Sequence, residues 1–271
     1  MDRAPLAAFD EQLRQSLDPP APGWLVERVG DVIRQVAPPG TAGSTVTWSR
    51  LDAGTADAAI AEQVAFFAAA GREFEWKAYG YDGPADLPDR LRAAGFIEEG
   101  VESLVVGEVA DVVAGTAGHR PPDGVVVREV GDEDWPRIEA LKTAVYGTDT
   151  HGRVEAVRAE HAADPEAISV HVAVAGDRVV SAAWVRFHAG TDFASLWGGA
   201  TAPQWRQRGI YRALVARRAE QARERGFRYL QVDASPDSRP ILERLGLVPL
   251  TTTTPWTWQP TQPQAAGRRE P

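Results

Sequence analysis

Three arginines and a glycine lie at or just before the start of a long helical pattern within residues 203–226, PQWRQRGIYRALVARRAEQARERG. Backbone N–H groups in the first turn of a helix have no partner inside the helix, so they and the helix dipole attract an anion. Gly209 lets the backbone approach such a ligand closely. The arginines add positive charge around it, and they are Arg206, Arg208 and Arg212. The stretch therefore predicts a phosphate-binding loop.

The two commonest nucleotide-binding loops are absent from the sequence. No GxGxxG fingerprint follows a predicted strand, and no GxxxxGK[ST] loop is present. The phosphate ligand is therefore not expected to be a dinucleotide or an ATP held by those loops. The alternative interpretation is a surface turn followed by an ordinary basic helix, because glycines before helices and solvated arginines are both common.

The hexamer from Arg206 to Tyr211, RQRGIY, resembles the Q/R-x-x-G-x-G/A loop of the GNAT-type N-acetyltransferases. It departs from that pattern at Tyr211, where the family has Gly or Ala. The flanking segments strengthen the resemblance. Val125–Val130 followed by Asp132 is similar to the family's first strand and helix, and Ile241–Leu247 is similar to its last helix and turn. The resemblance covers residues 124 to 258, with the order of elements intact.

The resemblance implies acetyl-CoA as co-substrate, with its pyrophosphate at the start of the helix that begins near Ile210. In the family, backbone groups of the preceding strand align the pantetheine in a gap between two strands. Ser235 stands where a cofactor-contacting asparagine is frequent. The implied cofactor-binding residues are Gly199, Ala200, Thr201, Arg206, Gln207, Arg208, Gly209, Ile210, Tyr211, Arg212 and Ser235. The alternative interpretation of Gly198-Gly199 is a β-bulge, which is compatible with this role.

The general acid is the weak point of the resemblance, because Leu242 stands where the family often has a tyrosine that protonates the thiolate. Tyr211, Tyr146 and His188 are the substitutes, although Tyr211 could pack along the cofactor, Tyr146 in the core, and His188 could be a solvated strand end. Asp233, or a water that it holds, is the candidate general base, and an ordinary turn or cap aspartate is the alternative.

Composition restricts the other function classes. The chain has 271 residues, of which 44% are hydrophobic, and a formal net charge of −9. Nucleic-acid binding is not expected, because a duplex-binding surface needs a basic face. The sequence has no cysteine, which excludes thiol nucleophiles and thiolate zinc sites, and its five histidines lack metal-ligand spacing. We therefore expect no metal. We also expect no membrane partner and a cytoplasmic location, because no apolar run is long enough to span a bilayer.

The second half predicts a mixed sheet with helices. Its meander of strands at 168–175, 178–188 and 193–201 has a hairpin turn at Ala175-Gly176-Asp177. The other predicted elements are a strand at 125–130, helices at 133–146, 152–162, 210–225 and 238–245, and strands at 227–234 and 252–258. The first half predicts helices at 6–17, 57–70 and 86–94, strands at 45–51, 73–81 and 103–109, and an ambiguous segment at 24–36.

The two halves share a spacing that indicates an internal duplication. Gly54 and Gly71 lie 17 positions apart, as do Gly209 and Gly226, and each pair brackets a predicted helix. Opposite the arginines the first half has Leu51-Asp52-Ala53, so a carboxylate would repel a pyrophosphate there. Two unrelated α/β segments with glycine-capped helices are the alternative.

The predicted fold class is therefore α/β, with two GNAT-like domains, each a mixed and mainly antiparallel sheet flanked by helices. The predicted organisation is a degenerate domain at 1–110, a linker at 111–123, a working domain at 124–258 and a disordered tail at 259–271. The predicted reaction is direct transfer of acetyl from acetyl-CoA to a primary amine of a small molecule or peptide. The alternatives are a CoA-binding protein without turnover and an enzyme for a longer acyl-CoA.

Overall fold

The computed structural model describes residues 4–260, which form two compact units. The large unit contains residues 4–13 and 102–251, and the small unit contains residues 14–101 and 252–260. In chain order the elements are α1 (Ala4–Phe9), β1 (Leu25–Val29), β2 (Val32–Val36), β3 (Thr45–Ser49), α2 (Ala56–Ala69), β4 (Phe74–Tyr79), α3 (Leu87–Ala93), β5 (Ile97–Glu98), β6 (Glu102–Glu108), α4 (Val109–Thr116), β7 (Val125–Glu129), α5 (Trp135–Tyr146), α6 (His151–Ala163), β8 (Ile168–Ala175), β9 (Arg178–Phe187), β10 (Phe193–Thr201), α7 (Ile210–Glu224), β11 (Tyr229–Ala234), α8 (Arg239–Glu243) and β12 (Val248–Trp258).

The sheet of the large unit runs in the order β6-β11-β10-β9-β8-β7. Its pairs are antiparallel, apart from the parallel pair of β10 and β11. The strands β8 and β9 form a hairpin whose turn includes Gly176 at φ 60°, a left-handed conformation that glycine adopts without steric cost. The arrangement puts the end of β10 and the start of α7 next to the one parallel junction of the sheet.

Helices cover both faces of this sheet. On one face, α4, α7 and α8 bury apolar side chains against β6, β10 and β11, and on the other face α5 and α6 pack on β8 and β9. Alternating strand residues supply the two faces, because successive side chains of a strand point in opposite directions. Representative buried residues are Val112, Leu196, Val215, Leu230 and Leu242 on the first face, and Trp135, Ile138, Leu141, Val157 and Val170 on the second.

The small unit has the strand order β1-β2-β3-β4-β12, and β5 also pairs with β12. Its core is rich in aromatic side chains: Phe67 stacks on Phe74 at 4.2 Å between ring centroids, and Phe96 meets Phe74 edge to face at 5.2 Å. Trp76 and Trp256, which face each other across β4 and β12, are fully buried. The predicted fold class, a mixed sheet flanked by helices, is confirmed.

The ambiguous segment at 24–36 is a hairpin of two strands, β1 and β2, with Gly30 at φ 58° between them. The ambiguity has a physical origin in the sequence, because Val26, Val29, Val32 and Ile33 fit both a helical and a strand period. The turn glycine and the β-branched residues favour the hairpin.

The segment predicted as a linker is partly helical, because α4 occupies residues 109–116. Val109, Val112 and Thr116 lie on one face of this helix and are buried. Gly115 is present for close packing: a Cβ on it would lie 2.7 Å from the carbonyl oxygen of Leu245. The small residues that suggested a flexible connection instead allow a helix to pack tightly.

The two compact units also divide the chain at different places from the predicted domains. The strand β6, which falls in the predicted domain at 1–110, pairs with β11 through residues 103–108 and belongs to the large unit. Residues 252–258 of β12, assigned to the second predicted domain, pair with β4 in the small unit. Strand pairing joins residues far apart in sequence, so composition and glycine spacing do not reveal it. Of the predicted tail, residues 261–271 lie outside the described residues.

No helix within residues 4–260 is both long enough and apolar enough to cross a membrane.

Candidate functional site

Unpaired backbone amides define the start of α7. The N–H groups of residues 207–212 make no hydrogen bond to any group in residues 4–260, and the first bonded amide is that of Ala213, which donates to Gly209 O at 3.0 Å. Gln207 and Gly209 both have left-handed backbones, with φ of 61° and 83°. Because an L side chain in that region carries strain, Gln207 holds an unfavourable conformation that a functional loop can retain. Six consecutive free amides at a helix N-terminus form an anion-binding cradle.

The three predicted arginines surround this cradle without neutralising partners. Arg206 Nε donates to Thr201 O at 3.2 Å, and the Arg208 guanidinium lies 5.0 Å from the centre of the Trp205 ring. Within the described chain no carboxylate lies at ion-pair distance from either of them or from Arg212. No carboxylate of the described chain therefore neutralises their charge, and their role in binding an anion stays a prediction.

A fourth arginine joins this region, and sequence reasoning missed it. Arg120 lines a groove of about 600 Å³ beside α4 and α7, and its carbonyl oxygen lies 3.8 Å from the position that a Cβ on Gly209 would occupy. It falls in the segment that was predicted to be a linker. Only the packing of α4 on α7 brings this segment to the loop.

A gap opens between the two parallel strands. The strands β10 and β11 pair only through residues 193–195 and 229–231, although β10 continues to Thr201 and β11 to Ala234. Along residues 232–234, β11 is paired with β6 on its other side. A β-bulge at Gly198-Gly199 interrupts the register of β10 with β9, and bulges bend a strand. The last third of β10 therefore leads away from β11, towards the loop that precedes α7.

The bulge has a specific conformation that only glycine can adopt. Gly198 has φ 63°, and a Cβ on it would lie 2.2 Å from ring atoms of Trp184. Two side chains of α5 donate hydrogen bonds to the carbonyl groups of the bulge. Lys142 Nζ donates to Gly198 O at 2.7 Å, and the Tyr146 hydroxyl donates to Gly199 O at 3.3 Å. The bulge is thus held by hydrogen bonds from one face of the sheet.

Two predicted tyrosines lie on opposite faces of the bulge. Tyr211 is partly buried, and its ring lies 3.1 Å from the position that a Cβ on Gly199 would occupy. Tyr146 approaches from α5 through its bond to Gly199 O. Burial raises the pKa of both phenols above the ordinary value, so both remain protonated at neutral pH and can donate. The structure therefore brings Tyr211, Tyr146 and the Gly199 backbone together.

His188 lies away from this group. Its Nε2 hydrogen-bonds Ser195 Oγ at 2.7 Å, where β10 and β11 are still paired, four residues before Gly199. Burial lowers its pKa to about 4, so the ring is neutral and packed. His188 is half-buried between the end of β9 and the start of β10, and it does not lie beside the bulge.

The remaining predicted residues lie on the β11 side of the gap. Asp233 is half-buried on β11, where Gln231 Nε2 donates to its Oδ1 at 3.3 Å. Ser235 is exposed, and its hydroxyl accepts the Ser238 N–H at 3.3 Å just before α8. Leu242 is fully buried in the core. Its side chain is apolar, so it offers no proton donor at the position where the GNAT-type enzymes often have a tyrosine.

Lys142 is a further residue that the sequence analysis missed. It is 4% exposed, and its Nζ lies 4.4 Å from the centre of the Trp184 ring. Burial, with a smaller contribution from Arg153, lowers its pKa to about 8. A signal was present: Lys142 follows Leu141 and lies four residues after Ile138, on the apolar face of a predicted helix. A charged residue in that position indicates a specific partner.

The helix α2 of the small unit begins differently from α7. The carboxylate of Asp52 accepts the N–H groups of Gly54 at 2.8 Å and Thr55 at 2.9 Å, and also the Thr55 hydroxyl at 3.1 Å. These bonds hold the pKa of Asp52 below its ordinary value. The amides before α2 are therefore occupied by the chain's own anion, whereas those before α7 are open.

No group of three or more histidine, aspartate or glutamate side chains within residues 4–260 is arranged to hold a metal ion.

Comparisons with known proteins concern the family and the fold. Residues 135–247 match the model of the acetyltransferase (GNAT) family. A search of curated proteins found no match. Among solved structures, a GCN5-related N-acetyltransferase from Kribbella flavida is similar, with a TM-score of 0.67 and 17% identity over 96% of this chain and 95% of its own.

Two further structures share the fold over most of the chain. A functionally unknown conserved protein from Staphylococcus epidermidis has a TM-score of 0.69 and 14% identity, over 93% of this chain and 98% of its own. A tandem GNAT protein from the clavulanic acid biosynthesis pathway has a TM-score of 0.60 and 16% identity, over 91% and 86%. At these identities the likeness concerns the fold.

Proposed function

We propose that this chain is a GNAT-type acyltransferase that moves an acetyl group from acetyl-CoA to a primary amine of a small molecule or peptide. The observation that carries the proposal is the open cradle of six consecutive amides at residues 207–212, which adjoins the end of β10. A diphosphate matches this cradle because helix N-termini favour negative charge and three unpaired arginines surround it.

The residues of the cradle fit acetyl-CoA in two ways. The free amides and arginines suit its pyrophosphate, and the gap between β10 and β11 provides unpaired strand backbone for the amides of its pantetheine arm. When bound, acetyl-CoA supplies the thioester that the amine attacks directly. In this proposal Gly199, Ala200 and Thr201 align that arm, and the loop from Arg206 to Arg212 holds the phosphates.

In this proposal, groups of the chain stabilise the negative charge of the intermediate and transfer the protons of the reaction. In this proposal the Gly199 N–H stabilises the negative oxygen of the tetrahedral intermediate, the role that backbone amides serve in oxyanion holes. Tyr211 holds its phenolic proton beside Gly199 and can give it to the departing thiolate. Asp233, on the β11 side of the gap, is the proposed acceptor of the amine proton, directly or through water.

A second candidate is a CoA-binding protein without turnover. It is favoured by Leu242, which is buried and apolar at the position of the family's usual acid. Binding and catalysis therefore have to be measured separately. The discriminating measurements are isothermal titration with acetyl-CoA and a CoA-release assay on a panel of primary amines.

The double variant Arg208→Glu with Gly209→Asp tests the cradle. We expect acetyl-CoA affinity to fall by at least about 100-fold, because the variant removes a charged contact and places carboxylates among the amides. The matched control is Arg178→Glu with Gly176→Asp, which makes the same charge change at another exposed arginine and another left-handed glycine with open space.

The control should bind acetyl-CoA like the unmodified chain. Equal affinity of both double variants would reject the cradle as the phosphate site. Tight binding with no amine-stimulated CoA release from any panel member would favour the protein without turnover.

A further inference from the structure

Lys142 is a buried cation that no carboxylate neutralises. Its Nζ bonds Gly198 O at 2.7 Å, and no acidic side chain in the described chain lies at ion-pair distance. The surrounding groups are Trp184 from β9, Tyr146 from its own helix and Arg153 from α6. Burying an ammonium group without an anion lowers the stability of the fold. Packing alone therefore does not explain why a lysine occupies this position.

The bond to Gly198 O fixes the direction of a different atom. Gly198 C=O and Gly199 N–H belong to one planar trans peptide group, so they point in opposite directions. Because the carbonyl points to Lys142 on α5, the N–H points away from α5, to the face where the Tyr211 ring meets Gly199. Gly198 and Gly199 lie outside the register of β10 with β9, so the ladder does not impose this direction.

We propose that Lys142 is a positioning residue for the transfer reaction: by holding Gly198 O it aims the Gly199 N–H at the carbonyl oxygen of the bound thioester. This inference rests on the proposed function. The positive charge behind the peptide group also polarises it, which strengthens the N–H as a donor where the surroundings exclude water. Tyr146 adds a second, neutral hydrogen bond to the next carbonyl of the bulge.

The test follows the thioester itself and needs no acceptor amine. Isotope-edited infrared spectra of acetyl-CoA labelled with ¹³C at the carbonyl are recorded bound to the unmodified protein and to three variants. Lys142→Met keeps the volume and removes the charge and donor, Lys142→Arg keeps both, and Arg153→Met is the matched control that removes a nearby charge without touching the bulge.

In the unmodified protein we expect the carbonyl stretch to lie below that of free acetyl-CoA. In Lys142→Met it should return towards the free value, while acetyl-CoA affinity changes by less than about 3-fold, because the phosphate contacts are intact. Lys142→Arg should restore the lowered stretch, and Arg153→Met should keep it. With any amine that the protein accepts, Lys142→Met should lose about 100-fold in kcat with little change in KM, as expected for a misaligned donor.

A pH titration gives a second readout. The pKa of Lys142 is lowered to about 8, so the shift of the bound carbonyl should weaken as pH rises from 7 to 9.5 and stay constant in Lys142→Arg. Tyr146 keeps its proton over most of this range because burial raises its pKa.

An unchanged carbonyl stretch in folded Lys142→Met that still binds acetyl-CoA would overturn the inference. The same return of the carbonyl stretch towards the free value in Arg153→Met would also overturn it, because the effect would then come from any nearby positive charge and not from the bond to Gly198 O. If the unmodified protein does not bind acetyl-CoA at all, the proposed function fails instead. Circular dichroism and urea unfolding of each variant confirm that the comparison is made between folded proteins.

Discussion

Burial shifts the pKa values of the three side chains beside the bulge more than neighbouring charges do. Tyr211, Tyr146 and Lys142 surround the bulge, and for each the largest cause of the pKa shift is removal from water. Both tyrosines therefore keep their protons, and the lysine loses its proton more readily than an exposed one. The general acid of the proposed reaction is thus available as a phenol although Leu242 replaces the usual one.

His171 gives a residue-scale prediction about acid stability. It is fully buried on β8, its two ring nitrogens have no hydrogen-bond partner within the described residues, and burial followed by the charges of Arg218 and Arg217 lowers its pKa to about 3. Between about pH 6.5 and pH 3 the unfolded chain binds a proton that the folded chain does not, so stability falls as pH falls.

We expect the free energy of unfolding to drop by about 1.4 kcal/mol per pH unit from this group once the pH is well below 6.5. His171→Leu should remove that part of the slope. His151→Leu should instead make stability fall more steeply as pH falls, because the hydrogen bond to Glu139 raises the pKa of this exposed imidazole in the folded chain. Urea unfolding at pH 7.0 and 5.0 measures both. The same pH dependence in His171→Leu as in the unmodified protein would contradict the assignment.

At the scale of elements, the bulge in β10 places the site. A regular strand would continue beside β11 and would leave no gap, whereas the bulge at Gly198-Gly199 redirects the last residues towards α7. The conformation depends on a missing side chain, because Trp184 occupies the space next to Gly198.

The variant Gly198→Ala tests this dependence. The new Cβ would lie 2.2 Å from Trp184 and would also require φ 63°, whereas Gly190→Ala requires φ 76° with nothing within 4 Å. Gly190→Ala should therefore cost about 1–2 kcal/mol from backbone strain. Gly198→Ala should cost about 1–3 kcal/mol more, because the ring or the strand has to move.

Urea unfolding gives the stability difference, and titration with acetyl-CoA shows whether the thioester site changes with it. Equal stability of the two alanine variants would mean that the space beside Gly198 is not restricted. Unaltered catalysis by Gly198→Ala would show that the bulge does not direct the reaction.

At the scale of the whole molecule, the two units differ in what binds the backbone amides just before α2 and just before α7. In the small unit Asp52 fills them, and in the large unit they are free. We propose that the two units arose by duplication and that only the second kept the cradle. The spacing of glycines around α2 and α7 supports that proposal.

This difference predicts a binding stoichiometry of one acetyl-CoA per chain. The Arg208→Glu and Gly209→Asp double variant should bind none, because no second site is open. Asp52→Asn should not create another site, because Leu51 and Ala53 flank it where the other unit has cations. Isothermal titration measures the stoichiometry, and two sites per chain, or one that survives the double variant, would contradict the argument.

The sequence by itself determined the elements and the loop. Period-two strands at 168–175 and 193–201, turn glycines and the helix start at Ile210 depend on interactions between residues a few positions apart, which a linear pattern records. The arginines and Gly209 could likewise be named from the hexamer, because a helix N-terminus forms its amide cradle locally.

Only the tertiary structure decided which residues meet at the bulge. It brought Lys142 to Gly198, 56 positions away, and it paired β6 with β11, more than 120 positions away. It also kept His188 apart from Tyr211, although only 23 positions separate them in the sequence. Such contacts depend on strand register and on which helix packs on which face. A buried charge on an apolar helix face can be noticed in the sequence, but its partner is fixed by packing over the whole sheet.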